Sequence, residues 1–488
     1  MNNYEHRKAR KNIIITDVDG KPASGRQVIV KLENHKFLFG CGAFDVLAYT
    51  DADTDEKKEL FAPRAKRWEE LFNYGTLPFY WGQYEPSEGD VRQDRMMKCV
   101  DRIVKDGAKV KGHPLCWHTV CADWLLKYSD EEIMQKQLDR ITREVSAFKG
   151  KVGLWDVINE TVIMPDFDRY DNAVTRLCRH YGRIPLIKSV FAAAKAADPH
   201  AVLLINDFNT SEAYAHVIEE CLEAGVPIDA IGIQSHQHQG YWGAEKLENV
   251  LRRFERFGLP IHFTENTLIS GKPMPPEIVD LNDFQPESWD SLPEYEEQQK
   301  NQLEEMYRIL FAHPLVEAVT GWDLTDGGWL NAPSGILRRD GSPKPSYEML
   351  TGLIKKEWST EYSAVTDDNG CFQTSLPAGQ YTCEVSSLGF ISQTFTFQML
   401  NRDYEKDIVL AERTYSLPEV NITKGNEDPA YAVMRKAIAR APYYRTQIKS
   451  YTAGTYLKGT GKGTAIPAVL KLSKEVRKEA KEWLGKLF

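Results

Sequence analysis

Between Phe37 and Leu324 the chain repeats one unit eight times, a short apolar, β-rich run followed by a stretch with helical spacing. The runs are FLFGCGAF (37–44), LFNYGTLPFYW (71–81), AKVKGHPLCWH (108–118), VGLWDVINE (152–160), AVLLINDFN (201–209), DAIGIQSHQ (229–237), LPIHFTE (259–265) and EAVTGWDL (317–324). Most are continuous rather than alternating in polarity, as strands buried on both faces are. Among the intervening stretches, Ser129 and Glu132 stand at capping-box spacing, and Met134, Leu138, Ile141, Val145 and Phe148 recur every three or four residues. DRIVKDGA, after Met97, runs to Gly107, a residue suited to stop a helix. Eight strand–helix units predict an α/β fold, a (β/α)8 TIM barrel, over residues 36–356. A doubly wound open sheet is the alternative, but it rarely uses eight units.

The flanks read differently. Residues 12–32 form two strands around a DGKP turn, and residues 362–397 form further strands with DNG and PAG turns. Two strands alone are marginally stable. The flanks are therefore expected to pair into a small discontinuous β-sandwich, residues 1–35 giving its N-terminal strands and 357–412 its C-terminal ones. Residues 413–488 form a basic, partly helical tail. From Pro429 onward there are 13 Lys+Arg against 3 Asp+Glu, or +10, although the whole chain carries −9. A solvated basic surface is the plainer reading of that imbalance, and no nucleic-acid partner is expected.

With 42% hydrophobic and 27% charged residues, the 488-residue chain has the apolar content for a large core. Its eight cysteines include no CxxC pair, which predicts free thiols rather than a zinc knuckle or disulfide framework. No segment approaches the roughly 18 apolar residues of a membrane helix, and the first fifteen residues lack a secretory apolar core. The chain as written reads as cytoplasmic, or as secreted or periplasmic if a signal was removed. Oligomeric state has no signal in the sequence.

A barrel carries its working side chains at the C-terminal ends of its strands. There the third run ends in His113, Trp117 and His118, the fourth in Trp155, Asn159 and Glu160, and the fifth in Asn206 and Asp207. Gln234 and His236 end the sixth, Glu265 the seventh, and Trp322, with Trp329 beyond it, the eighth. Two carboxylates facing across a pocket rich in Trp, Asn, Gln and His suit glycoside cleavage, in which one protonates the departing oxygen and the other attacks the anomeric carbon. Indoles stack on sugar faces, and amides and imidazoles read hydroxyls. His236-x-His238 and His113-x4-His118 lack a carboxylate or Cys at a metal-site spacing, so neither metal nor cofactor is expected. Trp68, Trp124 and Trp358 read as core.

These strings resemble glycoside hydrolase family 10, the xylanase family, over roughly residues 37–356. GHPLCWH is similar to its GHxLxWH, LWDVINE to WDVxNE, LLINDFN to its NDYN segment, IGIQSHQH to GIGxQSH, FTEN to the TE of its nucleophile strand and WDLTDGGW to WGxxDxxSW. The resemblance implies a retaining glycoside hydrolase acting on β-1,4-xylosidic or related bonds, with Glu160 as acid/base, Glu265 as nucleophile and a carboxyl separation of about 5–5.5 Å. It implies that His113, Asn159, Gln234 and His236 hold the reacting sugar and that Trp117, Trp322 and Trp329 wall it. Tyr80 and Trp81 are expected at the substrate, with His118, Asn206 and Asp207 in support.

Departures from the family pattern cluster in one place. Thr76, Leu77, Pro78, Phe79, Tyr80 and Trp81 stand where an E-N-x-x-K-W string binds the next sugar outward, and Thr267 stands for the aspartate that supports the QSH histidine. Asp323 and Gly328 replace the glycine and serine of WGxxDxxSW. The expected substrate is a short oligosaccharide or substituted glycoside. The alternatives are a weak or inactive barrel used as a carbohydrate-binding scaffold, and a β-glycosidase on a non-xylan glycoside. The C-terminal strands resemble part of a carboxypeptidase-regulatory-like module, and the stretch from about Asp428 resembles the segment after that module in some outer-membrane proteins.

Overall fold

A computed structural model describes residues 4–386, 390–400, 404–411 and 434. After β1 (Lys8–Asp17) and β2 (Gln27–His35) come the strands of the barrel. These are β3 (Leu38–Gly42), β4 (Tyr74–Pro78), β5 (Lys109–His113), β6 (Val152–Asn159), β7 (Val202–Asp207) and β8 (Ala230–Ile233), then, after the two-residue β9 (His236–Gln237), β10 (Ile261–Leu268) and β11 (Val316–Gly321). Each of the eight long strands pairs in parallel with the next, and β11 pairs with both β10 and β3, so the ring closes. The expected barrel is present, one strand from each apolar run.

Alternation along the strands explains where the site forms. Leu38, Tyr74, Leu154, Leu204, Ala230 and Ala318 meet in one apolar layer near the strand starts. Two residues further on, the same faces carry Thr76, Asp156 and Asn206. The interior thus changes from apolar plug to polar floor toward the C-terminal ends, while Leu203, Ile205, Ile231 and Phe263 belong to the main core shared with the helices.

The helix Asp130–Ala147 begins with the expected capping box: Ser129 N–H donates to Glu132 Oε2 (2.9 Å) and Glu132 N–H to Ser129 Oγ (3.3 Å). Its buried face differs from the apolar periodicity. Gln137, Arg140 and Glu144 are buried beside Ile133, Ile141 and Val145, whereas Met134 and Leu138 are half-buried. The reason lies in neighbouring backbone that needs donors. Arg140 donates to the carbonyls of Leu115 and Phe79, and Gln137 to that of Leu115 (3.0 Å), tying down the segments after β5 and β4. The helix Gln93–Lys105 is followed by Gly107, whose φ of +83° only glycine adopts readily.

The chain ends supply two facing sheets. One has the order β13 (Cys371–Pro377), β1, β16 (Tyr404–Leu410); the other has β12 (Glu361–Val365), β2, β14 (Gly379–Ser386), β15 (Gln393–Met399). Although consecutive, β1 and β2 enter opposite sheets rather than forming a hairpin. Ile13, Ile15, Val28, Val30, Phe372, Tyr381 and Phe397 fill the space between. The Arg7 guanidinium joins this layer to the barrel, donating to the carbonyls of Phe311 (2.6 Å), His313 (2.8 Å) and Val316 (2.9 Å) over the Phe37 and Phe311 rings. Val316 begins β11, so the sheets cover the N-terminal end of the barrel, opposite the C-terminal strand ends. None of the eight cysteines forms a disulfide. Among the described residues no helix is long and apolar enough to cross a membrane. The basic tail, apart from Met434, lies outside the described residues.

Candidate active site

Glu160 follows the last residue of β6, with a φ of +58° that a non-glycine residue adopts only at a cost. Its neighbours hold it there. Glu160 N–H donates to the Asn206 carbonyl (2.8 Å), and the Asp207 carboxylate clamps the following turn by accepting from Thr161 Oγ1 (3.2 Å) and Val162 N–H (3.0 Å). The Glu160 carboxylate accepts from Trp117 Nε1 (2.9 Å), Gln234 Nε2 (3.1 Å) and Asn159 Nδ2 (3.3 Å), and His118 Nε2 lies 3.6 Å away. Burial pushes this carboxyl up to about 8 against the donors Trp117 and Gln234, with the Asp207 and Glu265 charges adding to the rise.

Glu265, inside β10, is 3% exposed. Asn206 Nδ2 donates to its Oε1 (2.7 Å), His236 Nε2 lies 3.1 Å from its Oε2, and His113 Nδ1 lies 3.8 Å from Oε1. Burial alone would raise this carboxyl, but His113, His236 and Lys111 outweigh it and hold Glu265 below the usual carboxylate range. Two glutamates in one cleft thus depart in opposite directions: burial prevails over the donors at Glu160, whereas His113, His236 and Lys111 prevail over burial at Glu265.

An amide chain connects them. Asn159 Oδ1 accepts from both Asn206 Nδ2 (2.8 Å) and Gln234 Nε2 (3.1 Å), so each amide touches Asn159 and one glutamate. Thr264 Oγ1 donates to Asn206 Oδ1 (2.7 Å), fixing which end of that amide faces Glu265. Gly232 on the next strand leaves the necessary room, because a Cβ there would lie 2.3 Å from Asn206 Oδ1.

Beneath the site, Asp156 Oδ2 receives Lys111 Nζ (2.6 Å) and His113 Nδ1 (2.7 Å), all three side chains fully or almost fully buried. Burial works to raise Asp156, but Lys111 and then His113 hold it below its ordinary range. With Nδ1 held at the carboxylate, the His113 Nε2 is left to meet a hydroxyl. His113, Asp156 and Glu265 also lie close enough together to ligate a cation. The Lys111 ammonium already stands against Asp156, so the positive charge the trio attracts is supplied by the chain. Lys111 and Asp156 were not singled out by sequence, yet Lys111 lies two residues before His113 and shares its strand face, which is the signal that locates it.

The aromatic wall forms from Tyr80, Trp117, Trp322 and Trp329. Tyr80 packs against His113 (5.8 Å between ring centroids) and Trp117 (5.6 Å), Trp322 against His113 (5.4 Å) and His236 (6.0 Å), and Trp329 against His236 (4.6 Å). Trp81 corrects the expectation that it meets substrate. It is 5% exposed, donates from Nε1 to Glu85 Oε2 (3.1 Å) and lies under Arg140, because the short helix Trp81–Tyr84 turns it into the core beside Trp124. Thr76, Leu77 and Phe79 are likewise fully buried. Thr267 takes up part of the role of the missing aspartate: its Oγ1 lies 3.4 Å from His236 Nδ1 and 3.2 Å from His238 Nδ1.

Comparison with known proteins agrees with this fold. Residues 78–352 match the sequence model of glycosyl hydrolase family 10, and residues 433–487 match that of a family of unknown function, DUF5686. Endo-1,4-beta-xylanase B of Thermotoga neapolitana is 29% identical over 294 residues, 57% of this chain and 78% of that protein. The native xylanase 10B structure of Thermotoga maritima superposes with a TM-score of 0.52 at 25% identity, covering 66% of this chain and 96% of that one. Xylanase 10B of Thermotoga petrophila, solved with xylobiose, gives 0.53 at 24% identity over 66% and 95%. With eight parallel strands presenting paired glutamates at their C-terminal ends, and the family match spanning more than half its length, the chain belongs to glycosyl hydrolase family 10 and is a glycoside hydrolase.

Proposed function

We propose that the chain hydrolyses β-1,4-xylosidic bonds of short or substituted oligosaccharides with retention, Glu265 acting as nucleophile and Glu160 as acid/base. The opposed ionisation of the two glutamates carries this reading. Glu265 is held charged and attacks the anomeric carbon, forming a glycosyl ester, while Glu160 gives its proton to the departing oxygen; Glu160 then takes a proton from the water that cleaves the ester and frees Glu265. Asn159, Gln234, His113 and His236 serve as partners for the hydroxyls of the reacting sugar, and Tyr80, Trp117, Trp322 and Trp329 as its apolar walls.

The buried Thr76 and Leu77 support a short substrate. Where side chains would hold a second sugar outward, Leu77 lies in the apolar core, Thr76 lies on the barrel's polar floor, and the Tyr80 ring packs against His113 and Trp117. The xylose-based choice rests on similarity to the xylanases named above, and the non-xylan glycoside is the alternative that the rebuilt wall favours. A test is the anomeric configuration of the first product from 4-nitrophenyl β-xyloside followed by NMR. The β anomer should appear first and mutarotate, Glu265→Gln should release no nitrophenol, and an α first product would refute retention.

A further inference from the structure

The segment linking β10 to the helix Pro293–Ala312 forms an arm across the top of the barrel, set on a rigid base. At the base, Ser270 N–H donates to the Pro333 carbonyl (2.9 Å), Leu292 N–H to that of Ser270 (2.8 Å) and Trp289 Nε1 to that of Lys272 (2.9 Å), around an apolar cluster of Ile269, Met274, Trp289 and Ala332. Midway, Gln239, from the loop after β9, donates to the carbonyls of Pro275 (3.1 Å) and Ile278 (2.7 Å). At the tip, Asp280 and Asp283 both pair with Arg169, whose Nη2 lies 2.7 Å from Asp283 Oδ1. Arg169 belongs to the loop after Glu160.

In the ring, β6 and β10 are separated by β7 and β8. A contact between the loops that extend from β6 and β10 therefore spans the end of β7, which bears Asn206, and the end of β8, which Gln234 follows. The aromatic walls of the sugar pocket come from the other side, after β4, β5 and β11. A leaving group protonated by Glu160 and excluded from the walled side departs beneath the arm. The loops of this half carry exposed apolar side chains: Ile163 and Tyr170 after β6, Phe208 after β7 and Val279 on the arm.

We infer that Arg169, bridged to Asp280 and Asp283, is a specificity-determining strap that roofs the leaving-group half of the cleft, admitting a compact, partly apolar leaving group and obstructing a long polysaccharide. This rests on the hydrolytic reading above and sharpens its substrate class. The ion pairs are exposed on both sides, so they are weak and salt-sensitive, and the strap opens at modest cost.

The test compares kcat/KM on soluble long-chain xylan with that on 4-nitrophenyl β-xyloside for the wild type, Arg169→Ala and the double variant Asp280→Asn/Asp283→Asn. Both variants should raise the polymer-to-aryl ratio by about threefold, the size expected when a weak exposed bridge is lost, with the aryl reaction unchanged. In the wild type the same ratio should rise with added NaCl, and in Arg169→Ala it should not. Ratios in the variants equal to that of the wild type at every salt concentration would overturn the strap. Absence of aryl turnover in the wild type would instead overturn the hydrolytic reading, so the two failures are distinguishable.

Discussion

Glu160 combines a left-handed backbone with a carboxyl pushed up to about 8, and both features cost stability in exchange for a poised proton. The sign of the linkage comes from the raised folded-state value. The folded protein keeps a proton that the unfolded chain loses above about 4.5, so stability is full below that pH and drains away as pH rises toward 8. Glu160→Gln should therefore stabilise the protein more at pH 9 than at pH 4, by roughly 2–4 kcal/mol after allowance for its partial exposure, read from urea melts. An equal change at both pH values would show that the carboxyl is not perturbed by burial. The activity profile has the complementary form. kcat/KM should fall on the acid side as Glu265 takes a proton, below the ordinary carboxylate range, and on the alkaline side as Glu160 loses its own near 8. Trp117→Phe removes a donor that favours the charged form of Glu160, so the alkaline limb should move upward and the acid limb stay in place.

At the scale of elements, β5 and β6 are joined inside the barrel by Lys111, Asp156 and His113. Removing one member of a buried ion pair leaves the other charge unsolvated, so Lys111→Met should cost about 3–5 kcal/mol in thermal or urea melts. The double variant Lys111→Met/Asp156→Leu should recover much of that loss, while its kcat/KM stays low because His113 no longer has an acceptor at Nδ1. Recovery of activity together with stability would mean that Asp156 does not orient His113. The pair also shows what the sequence could and could not reveal. The eight strands were legible because burial on both faces leaves continuous apolar runs, and the paired glutamates because they end such runs. Trp81 misled because Tyr80 and Trp81 are equally aromatic neighbours, and only the turn of the short helix Trp81–Tyr84 decides which one faces the cleft. Arg140 and Gln137 interrupt a helical stripe for the sake of carbonyls in segments 22 to 61 residues away, a pairing that periodicity does not encode. The arm from β10 is polar and turn-rich, so its meeting with Arg169, 111 and 114 residues distant, has no local signature.

For the molecule as a whole, the β-layer assembled from both flanks lies at the N-terminal end of the barrel, opposite the strand ends that carry Glu160 and Glu265. One of its attachments is Arg7, whose guanidinium donates to three carbonyls at the end of the helix Pro293–Ala312 and the start of β11. Burial draws that guanidinium down to about 10, still fully charged at neutral pH, so all three bonds are charge-assisted. Arg7→Ala exposes those carbonyls and removes the cation from the Phe37 and Phe311 rings, which should cost roughly 2 kcal/mol and lower Tm by several degrees. Turnover of the aryl xyloside at 25 °C should be unchanged, because none of these atoms touches Glu160, Glu265 or their partners. Calorimetry and initial rates on the same samples separate the two effects. A loss of turnover without a loss of Tm would mean that the flanking layer acts on the cleft through the barrel strands rather than by holding their lower ends in place.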